Sequence, residues 1–442
     1  MGPVQGLDRP PFVIRAQVIT PLDAGGNNYL PDGLLEVGPD GRIARIEPWP
    51  ADSNGAAEAN AVDLRPMVAL PGLIDLHAHL PQLPNAGRGG GLDLLTWLER
   101  YIFPLERAFD VAAAEHLAPQ FYRSLAAAGT TTAVLYGAVY EASLDACFAA
   151  AEAHGIRVVL GKVMMDRLRY DATIGDTEVL EASLAQSQRL IERWHGRDEG
   201  RLQYAVTPRF AVSCSAEMLR ESAALARATG AYWQTHLAED HDEIEQVAQL
   251  FPDALDYTDV YDRAGGLGPR SILAHGVHLS AREIARLAET GTRIAHCPSS
   301  NLFLASGAMP LSRYLEAGLV VGLGSDVAGG PELSVFSVMR AGAYTQSGLR
   351  TMLGETRPVL RPLEWLRLAT LDGARALGLE AHIGTLEVGK EADLIVVDPR
   401  VTEPVASEDT DDPSDIVSRL MYRTRADMVA GAWVRGRRLA AA

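Results

Sequence analysis

Eight short apolar runs recur between Val68 and Asp326, most of them separated by a stretch with apolar residues at helical spacing. They are Val68–His79, Thr131–Gly137, Arg157–Met165, Leu202–Phe210, Ala231–Glu239, Ser271–His278, Thr292–Pro298 and Leu319–Asp326. Parallel strands need a crossover between them, usually a helix, whereas antiparallel strands can be joined by a tight turn. Strand followed by helix, repeated, therefore commits the chain to a parallel sheet flanked by helices. Eight repeats point to an α/β fold of the closed (β/α)₈ type more than to an open sheet. Glu217–Thr229 and Ala281–Glu289 carry the helical period most clearly, and Trp365–Leu377 continues it beyond the last run. The chain has 442 residues. That leaves room for a barrel of about 250 residues and a second domain.

The second domain is expected from the ends. Phe12–Ile19, Gly33–Val37 and Ile43–Glu47 read as short strands, with a hairpin turn at Pro39-Asp40-Gly41. Ala392–Val397 reads as a buried strand, and Met428–Val434 followed by Arg435-Gly436-Arg437 as a hairpin. Chain ends often lie close together, which favours their pairing. The expected division is residues 1–68 and 386–442 in a small β domain, with residues 69–385 forming the barrel.

Composition excludes several partners. The formal net charge is −17 and no Lys/Arg-rich run is present, which argues against nucleic acid or an anionic membrane surface. No run of about 18 apolar residues exists to cross a membrane. The N-terminus lacks the charged start and apolar core of a signal peptide. Three widely spaced cysteines, Cys147, Cys214 and Cys297, build neither a disulfide framework nor a CxxC metal site. The expected location is the cytoplasm.

Residues able to bind metal stand at the ends of these strands. The first run ends in His77-Ala78-His79, the fifth reaches His236, the sixth reaches His275 and the eighth ends in Asp326. Residues two apart on a strand face the same side, so both imidazoles of the HxH point to the barrel mouth. In such barrels the active site lies at the C-terminal ends of the strands. Imidazoles with one carboxylate are an ordinary zinc set, and zinc lowers the pKa of a bound water to about 7. His77, His79, His236 and Asp326 are the first choice of ligands. His275 is either a further ligand or a residue that holds the water. Glu239, three residues past His236, is placed to carry protons as general acid and base. A mid-strand position for Lys162 favours a structural or substrate-side role, which leaves one metal per chain. His296 either shapes the pocket or is a packing histidine. The stretch Leu80–Val111, with Gly87, Gly89, Gly90 and Gly91, is too long for a plain connection and is a candidate cover for the site.

Pro71-Gly72-Leu73-Ile74-Asp75-Leu76-His77-Ala78-His79, together with His236, His275, Asp326 and the run Gly384–Leu394, resembles the amidohydrolase superfamily. That resemblance implies that the two ends pair into a β-sandwich beside the barrel. Within the superfamily the chain is similar to the guanine deaminases, through Pro81-Gln82, Trp97-Leu98, Phe103-Pro104 and Gly161-Lys162-Val163. Val206–Phe210, His296–Asn301 and Gly322–Gly330 extend the similarity. It implies one zinc, or iron, held by His77, His79, His236 and Asp326 with His275 close by. It also implies guanine bound by Gln82, Arg209, Phe210, Glu239 and Asp326, with Glu239, His275 and Asp326 catalytic, in a homodimer. On this reading a metal-activated water attacks C2 of the purine. Glu239 passes the water's proton to N3, and Asp326 helps protonate the departing amino group. Phe210 is equally a stacking platform or a core residue. The chain departs from the family at Ala238, where serine is usual, at Asp240, where asparagine is usual, and at Pro331-Glu332-Leu333. These departures bear on fine preference: an oxidised guanine such as 8-oxoguanine, a pterin, another nucleobase or an s-triazine is the alternative substrate. A non-catalytic barrel used for assembly is the remote alternative, since such a barrel should have lost its metal ligands.

Overall fold

The structure, a computed structural model, describes residues 4–51, 59–171, 174–352, 354–405 and 412–441. The first strands are β1 (Phe12–Pro21), β2 (Asn27–Val37), β3 (Ile43–Pro48) and β4 (Val62–Pro71). Along β1 the apolar side chains alternate, so that Phe12, Ile14, Ala16 and Val18 share one buried face. The barrel strands follow: β5 (Leu73–His79), β6 (Thr130–Tyr136), β7 (Arg157–Gly161), β8 (Val163–Met164), β9 (Leu202–Pro208) and β10 (Tyr232–Leu237). The series ends with β11 (Ser271–His275), β12 (Arg293–His296) and β13 (Val321–Leu323). The C-terminal segment adds β14 (Leu394–Val397), β15 (Val429–Val434) and β16 (Arg437–Arg438).

The two chain ends pair into one seven-stranded sheet in the order β16-β15-β14-β4-β1-β2-β3. Its inner faces meet in one apolar core that includes Phe12, Ile14, Val18, Leu35, Leu394 and Trp433, so the sheet curls over on itself. The turn expected at Pro39–Gly41 is present, with Gly41 at a φ of 77° between β2 and β3. The second sheet runs β13-β12-β11-β10-β9-β7-β6-β5, all parallel, with β8 added beside β9. The main chain closes the ring where β13 returns to β5. Asp326 N donates to His77 O at 2.7 Å, and His79 N donates to Val327 O at 2.9 Å. The (β/α)₈ barrel read from the repeats is thus the architecture of the middle of the chain.

Two strands differ from their sequence readings. The run Val68–His79 is divided at Gly72: β4 belongs to the end sheet, opposite β14, and β5 belongs to the barrel, beside β6. A Cβ at Gly72 would stand 2.0 Å from Thr131 Oγ1, so the chain passes between the sheets only where no side chain is present. Residues on both sides of the break are buried, which is why apolar pattern alone joins them. The run Arg157–Met165 is likewise divided at Lys162, into β7 and β8.

A buried ion cluster ties the N-terminal end of β7 to the end sheet. Arg157 donates to Glu391 Oε2 at 2.6 Å and to Asp393 Oδ2 at 3.1 Å. Arg435 meets the same carboxylates, through Nε to Glu391 at 2.8 Å and through its backbone N–H to Asp393 at 2.9 Å. Removing one member of a buried pair leaves the other charged and uncompensated, at a cost of about 3–5 kcal/mol. Arg157→Ala should therefore lower the denaturant midpoint of unfolding by an amount corresponding to about 3–5 kcal/mol. A midpoint that does not move would show that the cluster joins the two sheets without stabilising them.

Candidate active site at the barrel mouth

Strand alternation places His77 and His79 on the same side of β5. His236 enters from β10, His275 closes β11, and Asp326 follows β13. The ligand atoms of His77, His236, His275 and Asp326 all lie within 4.8 Å of one another. His79 joins them from the side: its Nε2 is 3.3 Å from Asp326 Oδ1 and 3.2 Å from Nε2 of His236. All five residues expected at the metal are therefore brought together, and the tightest mutual group contains His275 in place of His79.

The donor atoms are prepared for a cation. His236 Nδ1 donates to Arg209 O at 2.6 Å and His275 Nδ1 donates to Asn301 Oδ1 at 2.9 Å. Each ring thus spends its proton on the outer nitrogen and turns a lone pair inward. Nε2 of His77 and Nε2 of His275 are buried with no hydrogen-bond partner among the described residues. Burial pushes the His79 imidazole down to about 4 and pushes His77 and His236 down as well, which favours the neutral rings that a metal requires. Burial also pushes the Asp326 carboxyl up, but the neighbouring His77, His79 and His275 outweigh it and hold the group well below the usual carboxylate range. Inward lone pairs around an ionised, buried carboxylate fit a divalent metal ion.

Three residues at the rim adopt left-handed backbone although none is glycine: Ala238 at φ 46°, His275 at φ 72° and Asp326 at φ 50°. Such conformations persist only where the surroundings enforce them, and they cluster at functional sites. Here they turn the chain sharply out of β10, out of β11 and past β13. The turn at Ala238 delivers Glu239 to the group, with Oε2 3.3 Å from His275 Nε2 and Oε1 accepting from Ser306 Oγ at 3.2 Å. Burial, and then the charge of Asp326, pushes Glu239 well above its usual range. A cation in the group would act in the opposite direction.

Beside the group lies a cavity whose lining includes His79, His236 and Asp326. Gln82, Arg209, Phe210 and Glu239 face it together, with Leu94, Trp97, Leu98 and Leu304 as the apolar part of the wall. Phe210 is buried as well, its ring 6.3 Å from that of His236, so it belongs to core and pocket at once. Arg209 lines the cavity and is also ion-paired, to Glu106. Lys162 lies outside the group, its Nζ donating to Ser183 Oγ at 2.9 Å. His296 is buried outside the group too. The glycine-rich stretch is docked, with Gly91 N donating to Phe303 O at 2.8 Å.

Sequence reasoning missed four residues that support this arrangement. Asp75 accepts from the backbone N–H of His77 at 3.2 Å and from that of Ser325 at 2.9 Å. Asn301 orients His275, and its carbonyl accepts from Ser306 N at 2.8 Å, so one residue serves both His275 and the hydroxyl that meets Glu239. Glu106 accepts from Gln82 and Arg209. Asp75 and Asn301 stand inside the runs Pro71–His79 and His296–Asn301 that carry the family resemblance, whereas Ser306 and Glu106 carry no local signal.

The amidohydrolase family pattern matches residues 68–439, and the chain belongs to that family. The chain is similar to a probable guanine deaminase of Deinococcus radiodurans, 41% identical over 92% of each chain. Among solved structures, guanine deaminase of E. coli superposes with a TM-score of 0.89 at 33% identity, covering 97% of this chain and 99% of that one. Guanine deaminase of C. acetobutylicum with bound guanine in the active site superposes equally well, at 0.89 and 29% identity over 97% and 100%.

Groups that orient a metal-binding imidazole typically contribute about 10- to 100-fold to metal affinity. Asn301→Ala should accordingly weaken metal retention by about 10- to 100-fold in competition with a chromophoric chelator. Retention equal to that of the parent would mean that the Asn301 contact does not act on the imidazole.

Proposed function

We propose that this protein is a guanine deaminase, converting guanine and water to xanthine and ammonia. The observation that carries the reading is the meeting of Gln82, Arg209, Phe210 and Glu239 in one cavity beside the imidazole–carboxylate group, in a chain whose relatives bear that name. His77, His79, His236, His275 and Asp326 are the residues proposed to hold the metal. Imidazoles with one carboxylate suit zinc, with ferrous iron the alternative, and the position of Lys162 argues for one ion per chain. A metal held there supplies a water acidic enough to serve as nucleophile near neutral pH.

The chain's own residues supply the rest. Arg209 and Gln82 hold the purine by its polar edge, and Phe210 supports a face of the ring. Glu239 takes the proton of the attacking water and delivers it to N3, which makes C2 electrophilic. Asp326 and His275 keep the water oriented, and Asp326 helps move a proton to the amino group, which leaves as ammonia. Held together in this way, water and purine react as one assembled unit, which can remove about 7–11 kcal/mol of barrier in well-aligned systems.

The barrel expected over residues 69–385 carries this chemistry in our proposal, and residues 1–68 and 386–442 serve as its base. We place the protein in the cytoplasm, a compartment that suits three buried free cysteines. A homodimer is the proposed assembly; Tyr344, Met352 and Tyr422 offer exposed apolar surface for it.

Xanthine formation from guanine, measured beside 8-oxoguanine, a pterin and an s-triazine, tests the substrate. The expected result is a marked preference for guanine; a preference for another member of the panel would refute the reading. Elemental analysis should find about one zinc or iron per chain, and two metals bridged at Lys162 would contradict it. Glu239→Gln should keep its metal and lose about 10²- to 10⁴-fold in kcat. A kcat within about threefold of the parent would remove Glu239 from the proton path.

A further inference from the structure

Glu106 lies in the long segment between β5 and β6, on the short helix Phe103–Arg107. Its side chain is fully buried, at 0% exposure, and it touches neither the imidazole group nor a surface cation. Oε1 accepts from Gln82 Nε2 at 2.7 Å, and Oε2 accepts from an Arg209 N–H. Phe103, three residues earlier on the same helix, lies beneath the Arg209 guanidinium at 5.3 Å. One turn of helix thus grips two of the polar residues that face the cavity.

The grip determines what those residues can offer. An ionised carboxylate accepts hydrogen bonds and donates none, so the Gln82 amide must turn its NH₂ toward Glu106. The backbone N–H of Ala328, a donor, meets the other end of the same amide, Oε1, at 3.3 Å. Both neighbours demand the same orientation. One N–H of the NH₂ is engaged by Glu106, and the oxygen keeps a lone pair to spare for a ligand in the cavity that Gln82 lines. Arg209 is 2% exposed; with one nitrogen engaged by Glu106, its other N–H groups make no hydrogen bond to the described residues and remain as donors. Beside Glu239 and Asp326, the cavity is therefore offered an acceptor by Gln82 and a set of donors by Arg209.

We infer that Glu106 is a specificity-determining residue: by orienting Gln82 and Arg209 it sets the pocket to read a lactam edge, a ring N–H beside a carbonyl, and to reject an amidine edge, a ring nitrogen beside an amino group. The inference rests on the proposed purine site and deepens it. The Gln82 oxygen takes the ring N–H and Arg209 takes the carbonyl. An amidine edge reverses both polarities, setting acceptor against acceptor and donor against donor. A buried site built to hydrogen-bond one pattern discriminates strongly against a ligand that leaves its groups unpaired.

Hypoxanthine and adenine separate this from turnover, because neither carries the C2 amino group that would be removed. Hypoxanthine has the lactam edge and adenine the amidine edge. Calorimetry on the metal-loaded protein should find hypoxanthine bound at least about tenfold more tightly than adenine. In Glu106→Gln, whose amide can donate as well as accept, the preference should shrink to less than about threefold. Glu106→Asp keeps the carboxylate and should retain most of the preference. Equal binding of the two purines by the parent protein overturns the inference, and so does a preference that Glu106→Gln leaves unchanged. Should Glu106→Gln not fold, Gln82→Ala decides: loss of the preference supports the oriented amide, and its persistence overturns it. The outcomes are distinct from those for guanine. A parent protein that prefers hypoxanthine but releases no ammonia from guanine keeps the pocket code and loses the proposed reaction. One that deaminates guanine but binds both probes equally keeps the reaction and loses the code.

Discussion

The seam between β13 and β5 is the contact on which the rest of the structure depends. A parallel barrel must join its last strand to its first, and here the ladder is irregular. Asp75 bridges it: its carboxylate receives the backbone N–H and the hydroxyl of Ser325 and the backbone N–H of His77. Burial pushes the Asp75 carboxyl up to about 7 despite these donors, so a carboxylate there depends on them. The same few residues that close the ring carry His77 and Asp326, whose side chains meet 3.1 Å apart. Closing the barrel and assembling the inner group are therefore one event, and a seam shifted by one residue would turn His77 away from the mouth.

Close packing at the seam leaves little freedom. A Cβ at Gly324 would stand 2.8 Å from His77 Cβ, and one at Gly322 2.4 Å from a Leu76 methyl. The seam tolerates glycine because the strands approach so closely. The rim answers with strain: Ala238, His275 and Asp326 each hold left-handed backbone, and dense packing below keeps them there. At the opposite end the Arg157 cluster fixes the end sheet against the barrel. The reactive face is thus supported by a base built from both ends of the chain.

Much of this was legible in the sequence, for a physical reason. A strand end that carries a histidine or aspartate after an apolar run is a local pattern, and a barrel gathers all such ends on one face. His77, His79, His236, His275, Asp326 and Glu239 are therefore readable one strand at a time. Strand limits were less legible. Apolar residues continue past the hydrogen-bonded ladder at Leu237 and His275, so burial outlasts pairing and the runs were read too long. Supporting residues were harder still. Glu106 meets Arg209 across 103 positions of sequence and Ser306 meets Glu239 across 67. Neither spacing has a period that could announce it, because the contact exists only once the loops are placed.

That difference in legibility follows a division of labour in the molecule. The groups suited to chemistry stand on strand ends or one turn beyond, where the barrel sets their positions. Arg209 and Phe210, just past β9, line the cavity, and the segment after β5 adds Gln82 and Trp97 to its wall, with Phe103 and Glu106 behind Arg209. This segment is not independent of the chemistry. Gly91 N donates to Phe303 O, and a Cβ at Gly90 would stand 2.8 Å from the Phe303 ring, so the segment rests on the short helix Pro298–Phe303, which holds Asn301 and leads to Leu304 and Ser306. Asn301 meets His275, and Ser306 meets Glu239. The segment that lines the cavity and the residues that contact His275 and Glu239 are thus packed against each other through one glycine-lined contact. Placing recognition on a loop lets a barrel change its substrate without rebuilding its strands, while docking that loop on the supporting residues gives the precision that a free loop lacks.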